Sequence, residues 1–100
     1  MDAIEFLQSW YLAQTNGEWE HVRGVTIETL DNPGWRVTID VLDTPLEGVS
    51  MTPVREEKSA QDWLVCEVDR NQFRGNGDSR KLLAILQLFQ SWTEQAVKVK

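Results

Sequence analysis

Sulfur and imidazole are almost missing from this chain: one cysteine, Cys66, and one histidine, His21, occur in 100 residues. A single cysteine cannot close an intrachain disulfide. With one residue of each kind, a zinc site would have to recruit carboxylates, and no ligand spacing is present. Cys66 lies mid-run among apolar residues, the setting of a buried, inert thiol rather than a nucleophile. His21 adjoins Glu20, but neighbours on a strand point to opposite faces, so the two do not read as an acid–base pair. Long apolar runs are missing as well. None approaches the length of a membrane span, and no charged segment followed by an apolar run opens the sequence. The expectation is a cytoplasmic protein without membrane association, metal or cofactor.

Positive charge is also scarce. Ten Lys and Arg stand against 16 Asp and Glu, a formal net charge of −6. Binding to nucleic acid requires basic surface that replaces phosphate counterions, so nucleic acid is not the expected partner. Anionic membranes are disfavoured for the same reason. The charge suits a basic macromolecular partner, although solubility alone also accounts for it. The paired carboxylates Glu18/Glu20 and Glu56/Glu57 have the chemistry for a hard cation, but solvated charges are the common case. The stretch Gly75-Asn76-Gly77-Asp78 resembles a phosphate cradle ahead of a helix. It lacks the required glycine spacing, and Asp78 would repel an anion.

What is present is ordinary globular material, 41% hydrophobic and 26% charged, with five tryptophans. The length fits one domain spanning residues 1–100 with its own core. Residues 2–15 predict a helix. Asp2 and Glu5 have capping-box spacing, Ile4, Phe6, Leu7, Trp10, Tyr11 and Ala13 form a broad apolar face, and Asn16-Gly17 stops it. From Val22 the period changes to two. Residues 22–42 predict a hairpin whose Asp31-Asn32-Pro33-Gly34 stretch has type II chemistry, with Pro33 at the second turn position and Gly34 at the third. Residues 49–57 predict a weaker strand, at an edge or bulge because of Pro53. Residues 62–69 predict a clear strand, and 70–79, rich in Gly and Asn, an irregular loop anchored by Phe73. A second helix follows from about 79 to 96, capped by Asp78 or Ser79. The order is α-β-β-β-β-α. The expected fold is α+β, a four-stranded, mainly antiparallel sheet with both terminal helices on one face. The other face, with Thr26, Glu28, Arg36, Thr38 and Asp40, is left for water or a partner.

The tryptophans divide into two groups. Trp10, Trp35, Trp63 and Trp92 fall on apolar faces and read as core. Trp19 belongs to no apolar period and is flanked by Glu18 and Glu20. It reads either as a lid folded over the helix end, favoured because isolated exposed tryptophan is rare, or as an exposed recognition anchor.

The strings "SWYLAQTNGEWEH", "VTIETLDNPGWRVTID", "DWLVCEVDRNQFRGNGD" and "LLAILQLFQSW" resemble the immunity protein 53 family of bacterial polymorphic toxin systems. The likeness covers nearly the whole chain. Trp19-Glu20 and Gly34-Trp35 match the short motifs that mark the family, and "ETLDNPGW" is the most specific match. The resemblance implies a cytoplasmic α+β protein that binds a cognate toxin domain and blocks it without catalysis. The partner is then a protein, a basic nuclease being one class that an acidic inhibitor would meet quickly. The candidate contact residues are Glu18, Trp19 and Glu20, with Glu28 and Asp40 on the open sheet face and Asp31 at the hairpin tip. Gly34 and Trp35 read as structural, setting the turn and the core.

Two other classes compete. A small-ligand-binding module or small enzyme would need a polar cavity between helices and sheet containing His21, Glu20 and a third polar group. A structural adaptor pairing along an edge strand is opposed by Pro53 near the edge.

Overall fold

The computed structural model describes residues 1–99, with side chains described through Ala96. Helix α1 spans Ala3–Gln14 and is followed by a single turn, α2, at Trp19–Val22. Strands β1 (Val25–Leu30), β2 (Gly34–Asp40), β3 (Val54–Ser59), β4 (Asp62–Asp69) and β5 (Gln72–Gly77) precede the long helix α3 (Leu82–Val99). The sheet has five strands in the order β1-β2-β5-β4-β3, and every neighbouring pair is antiparallel. The expected four-stranded sheet is therefore corrected. Residues 72–77, read as part of a loop, are the central strand.

Two features hid that strand. Its hairpin with β4 turns on Arg70 and Asn71, both with positive φ (53° and 58°), the conformation of a type I′ turn usually signalled by Asn-Gly. The other is the glycines, which are there for proximity rather than disorder. A Cβ on Gly75 would run into the Ile85 side chain of α3, and one on Gly77 would stand 2.6 Å from Lys81 Cβ. Removing the side chains lets α3 lie directly on the middle of the sheet.

The other strands follow the period-of-two reading. The hairpin within 22–42 is β1–β2, with Ile27 opposite Val37 and Leu30 opposite Gly34. Its turn is not the expected type II. Gly34 is not among the positive-φ glycines and already belongs to β2. Glycine is needed there because a Cβ would strike the Gly77 carbonyl oxygen. Strand β3 is an edge strand, as Pro53 suggested, but begins after it and carries a register shift between Glu57 and Ser59. The sheet's other edge is β1.

Both helices share one face of the sheet. Val37, Ile39, Leu64, Cys66 and Phe73 point at them and are buried, together with Ile85, Phe89 and Trp92 of α3 and Ala3 and Trp10 of α1. Phe89 is the hub of an aromatic cluster, making edge-to-face contacts with Phe6, Trp10, Phe73 and Trp92. The α1 stripe is narrower than its composition suggests. Ala3, Phe6, Leu7, Trp10 and Gln14 take the inward 3.6-residue positions, while Ile4 and Leu12 stay exposed (59% and 70%). Asp2 caps α1 as expected, its Oδ1 accepting the Glu5 amide at 2.8 Å.

Candidate functional site

The second face of the sheet carries no helix, and strict alternation decides what it displays. One row crosses all five strands: Glu28, Arg36, Asn76, Val65 and Arg55. The next row is Thr26, Thr38, Arg74 and Glu67. Together Arg36, Thr38, Arg55, Val65, Glu67, Arg74 and Asn76 line a depression of about 420 Å³. Its guanidinium groups are held in place by neighbours. Arg36 Nε donates to Asn76 Oδ1 at 3.2 Å, and Arg74 Nε donates to Gln72 Oε1 at 2.9 Å. Arg55 pairs with Glu57 at 2.8 Å across exposed surface. The face is thus a rigid, mixed-charge platform with three arginines at its centre. Of these, only Arg36 was placed on this face from sequence. Arg74 and Asn76 lie in the segment read as loop, and Arg55 in a strand whose facing was unresolved.

The candidate residues do not gather in one patch. Glu28 lies on the open face and Asp31 at the exposed hairpin tip. Asp40 is on the same face but engaged on both oxygens: Oδ2 accepts the Gly24 amide and Oδ1 the Gln72 side chain, each at 2.9 Å. Glu18, Trp19 and Glu20 sit at the opposite end of β2 from Asp31, where α1 meets α2.

There the stretch 16–20 closes on itself. Asn16 Oδ1 accepts the amides of Glu18 and Trp19 at 2.9 Å. The Glu20 carboxylate reaches back to the amides of Asn16 (2.9 Å) and Gly17 (2.8 Å). Its own backbone amide first, then those of Asn16 and Gly17, hold the Glu20 carboxyl below the usual carboxylate range. Trp19 is a lid: it is 3% exposed, stands edge-to-face with Trp10 and Tyr11, and donates its indole N–H to Leu42 O at 3.0 Å. It therefore offers almost no surface to a partner, and of the three residues only Glu18 is fully exposed. Trp35 is half-buried on the helix face, its indole donating to Ser79 O at 3.1 Å.

The polar cavity required by the small-ligand reading is not assembled at Glu20 and His21. Both Glu20 oxygens are taken by backbone amides, and His21 is exposed on α2. Burial pushes the Cys66 thiol up to about 12. Among the described residues no group of three or more His, Cys, Asp or Glu is placed to hold a metal ion, and no helix is long and apolar enough to cross a membrane.

The model of the family named immunity protein 53 matches residues 4–94, from the first turn of α1 to the last turns of α3. The chain belongs to the immunity protein 53 family. The match includes the whole sheet and most of both flanking helices. No curated protein and no solved structure matches the chain. In this member of the immunity protein 53 family, Trp19, Glu20, Gly34 and Trp35 make contacts within the scaffold. Trp19 and Glu20 close the α1–α2 junction, and Gly34 and Trp35 fit β2 between β5 and the start of α3.

Proposed function

We propose that this chain is an immunity protein that neutralises a cognate toxin domain by stoichiometric binding, and that the helix-free face of the sheet, with the hairpin tip, makes the contact. The observation that carries this reading is the platform itself. Five paired strands present Glu28, Arg36, Arg55, Glu67 and Arg74 on a backbone with little freedom left to lose. Association costs ordering entropy, so a pre-formed charged surface is an economical inhibitor surface. Glu28 and Asp31 are the acidic contacts of this face; Glu18 lies apart from it, where α1 meets α2, and Trp19 and Glu20 contribute indirectly by closing that junction. The formal net charge of −6 favours a toxin with a basic surface, a nuclease among the classes that fit. The arginine-lined depression receives an acidic or carbonyl-rich side chain at the centre of the interface.

The reading is tested by co-expressing the chain with the toxin domain encoded beside it and measuring survival and affinity. Charge reversals on the platform, Glu28→Lys and Arg74→Glu, should each cost about 2 kcal/mol of binding or more if they lie at the contact centre. Glu94→Lys, exposed on α3, should leave affinity unchanged. Full protection by both platform variants would overturn the assignment of the face. Absence of protection by the unaltered chain would overturn the function.

A further inference from the structure

The two edges of the sheet are treated differently. Strand β3 is guarded: Pro53 precedes it, its register shifts at Glu57/Ser59, and Arg55, Glu56, Glu57 and Lys58 project from it. These are the devices that keep an edge from pairing with another chain. Strand β1 is guarded less: its one charged side chain is Glu28. Val25–Leu30 contains no proline and no lysine or arginine, pairs with β2 without a shift, and leaves Ile27 42% exposed. Beside it runs an apolar groove of about 430 Å³ lined by Leu7, Gln8, Tyr11, Arg23, Gly24 and Val25. Arg23 Nε is buried there without a hydrogen-bond partner. Among the described residues Arg23 makes no ion pair.

We infer that β1 is a dimerisation edge and that its occupant is β1 of a second copy of this chain, antiparallel, with the two-fold axis at Ile27. The hydrogen-bonding parity allows it. Asp40 N donates to Gly24 O, so the even-numbered residues of β1 face β2. The N–H and C=O groups of Val25, Ile27 and Thr29 therefore point outward. Pairing Ile27 with the second copy's Ile27 sets Val25 against Thr29 and Thr26 against Glu28, and each outward-facing pair can exchange both bonds. The same register brings Arg23, in extended backbone just before β1, opposite the second copy's exposed Asp31, twice by symmetry. The arginine that makes no ion pair among the described residues thereby gains a carboxylate. The neighbouring registers are inferior. A shift that centres on Glu28 opposes two like charges, and one that centres on Thr26 leaves Arg23 opposite Thr29. Dimerisation in this form joins the two helix-free faces into one continuous platform and does not depend on the toxin reading.

Sedimentation equilibrium of the purified chain decides the matter. The expected mass is twice the 11.5 kDa of the chain. Ile27→Lys, an exposed edge change, should return it to monomer with an unchanged circular dichroism spectrum. Asp31→Arg should weaken the dimer about tenfold, and Arg23→Asp combined with Asp31→Arg should recover it. Register is read by mild oxidation. Ile27→Cys should crosslink to itself, because facing Cα atoms about 5.5 Å apart suit a disulfide. Thr29→Cys should not, because its symmetry mates lie about 13 Å apart. Buried Cys66 stays silent in both. A monomer at about 100 µM, where a micromolar dimer is nearly all assembled, would overturn the inference. So would a dimer that survives Ile27→Lys, or crosslinking of Thr29→Cys as fast as Ile27→Cys.

Discussion

Lys81 Nζ lies 2.7 Å from Asp78 Oδ2, and that carboxylate, 4% exposed, is the clamp between the central strand and the long helix. The same oxygen accepts the Trp63 amide at 2.8 Å, Oδ1 accepts the Arg80 amide at 2.9 Å, and Lys81 also reaches Asp62 at 2.8 Å. The Lys81 ammonium first, then the Arg80 amide, hold the Asp78 carboxyl down at about 2. A depressed carboxylate contributes stability that is fully present above its ordinary value of 3.8 and is lost as pH falls through about 2. Asp78→Asn should therefore lower the urea midpoint at neutral pH, and the gap to the unaltered chain should close across that acid window. A gap that stays constant down to pH 2 would count against the clamp.

Trp19 is predicted to matter for folding before it matters for binding. Trp19→Ala removes a buried indole with two aromatic neighbours and should cost about 3–5 kcal/mol in urea unfolding. Trp19→Phe keeps most of the packing and loses the bond to Leu42, for about 1–2 kcal/mol. If Trp19→Ala folded with unchanged stability, the lid role would be wrong.

Glycine at 75 is predicted to be irreplaceable at small scale. Gly75→Ala puts a methyl group into the Ile85 side chain and within 3.3 Å of Cys66 Sγ, and should destabilise by about 1–3 kcal/mol. Gly24→Ala, with no atom within 4 Å of the added carbon, should stay within about 0.5 kcal/mol of the parent. Thermal melts of the two single variants make the comparison, and equal shifts would contradict the close approach of α3.

Arg70 sits in the left-handed region at φ 53° without being glycine or asparagine. Arg70→Asn should raise stability by about 1 kcal/mol, because asparagine adopts that conformation with less strain. A loss of stability would point to an undetected role for the arginine side chain.

The terminal helices and the β1–β2 hairpin were legible because their periods of 3.6 and 2 are carried by large apolar residues such as Phe89, Trp92, Val37 and Ile39. β5 was not, since two of the inward positions that should announce a strand are Gly75 and Gly77, and its turn uses Arg70-Asn71. The platform suffered with it: Glu28 and Arg36 could be placed, but Arg74 and Asn76 had no strand to stand on. Trp19 was ambiguous for a related reason. What buries it is the Leu42 carbonyl and the Trp10 ring, contacts made by tertiary structure rather than by any local pattern.

The strand order also dictates when this protein can be complete during synthesis. The β1–β2 hairpin and the β3–β4 hairpin share no ladder of their own; β5, the last strand to leave the ribosome, is the seam that joins them. Until Gly77 has emerged, the nascent chain holds two separate ribbons with their apolar faces uncovered. No translation product that stops short of β5 contains the surface that spans the seam.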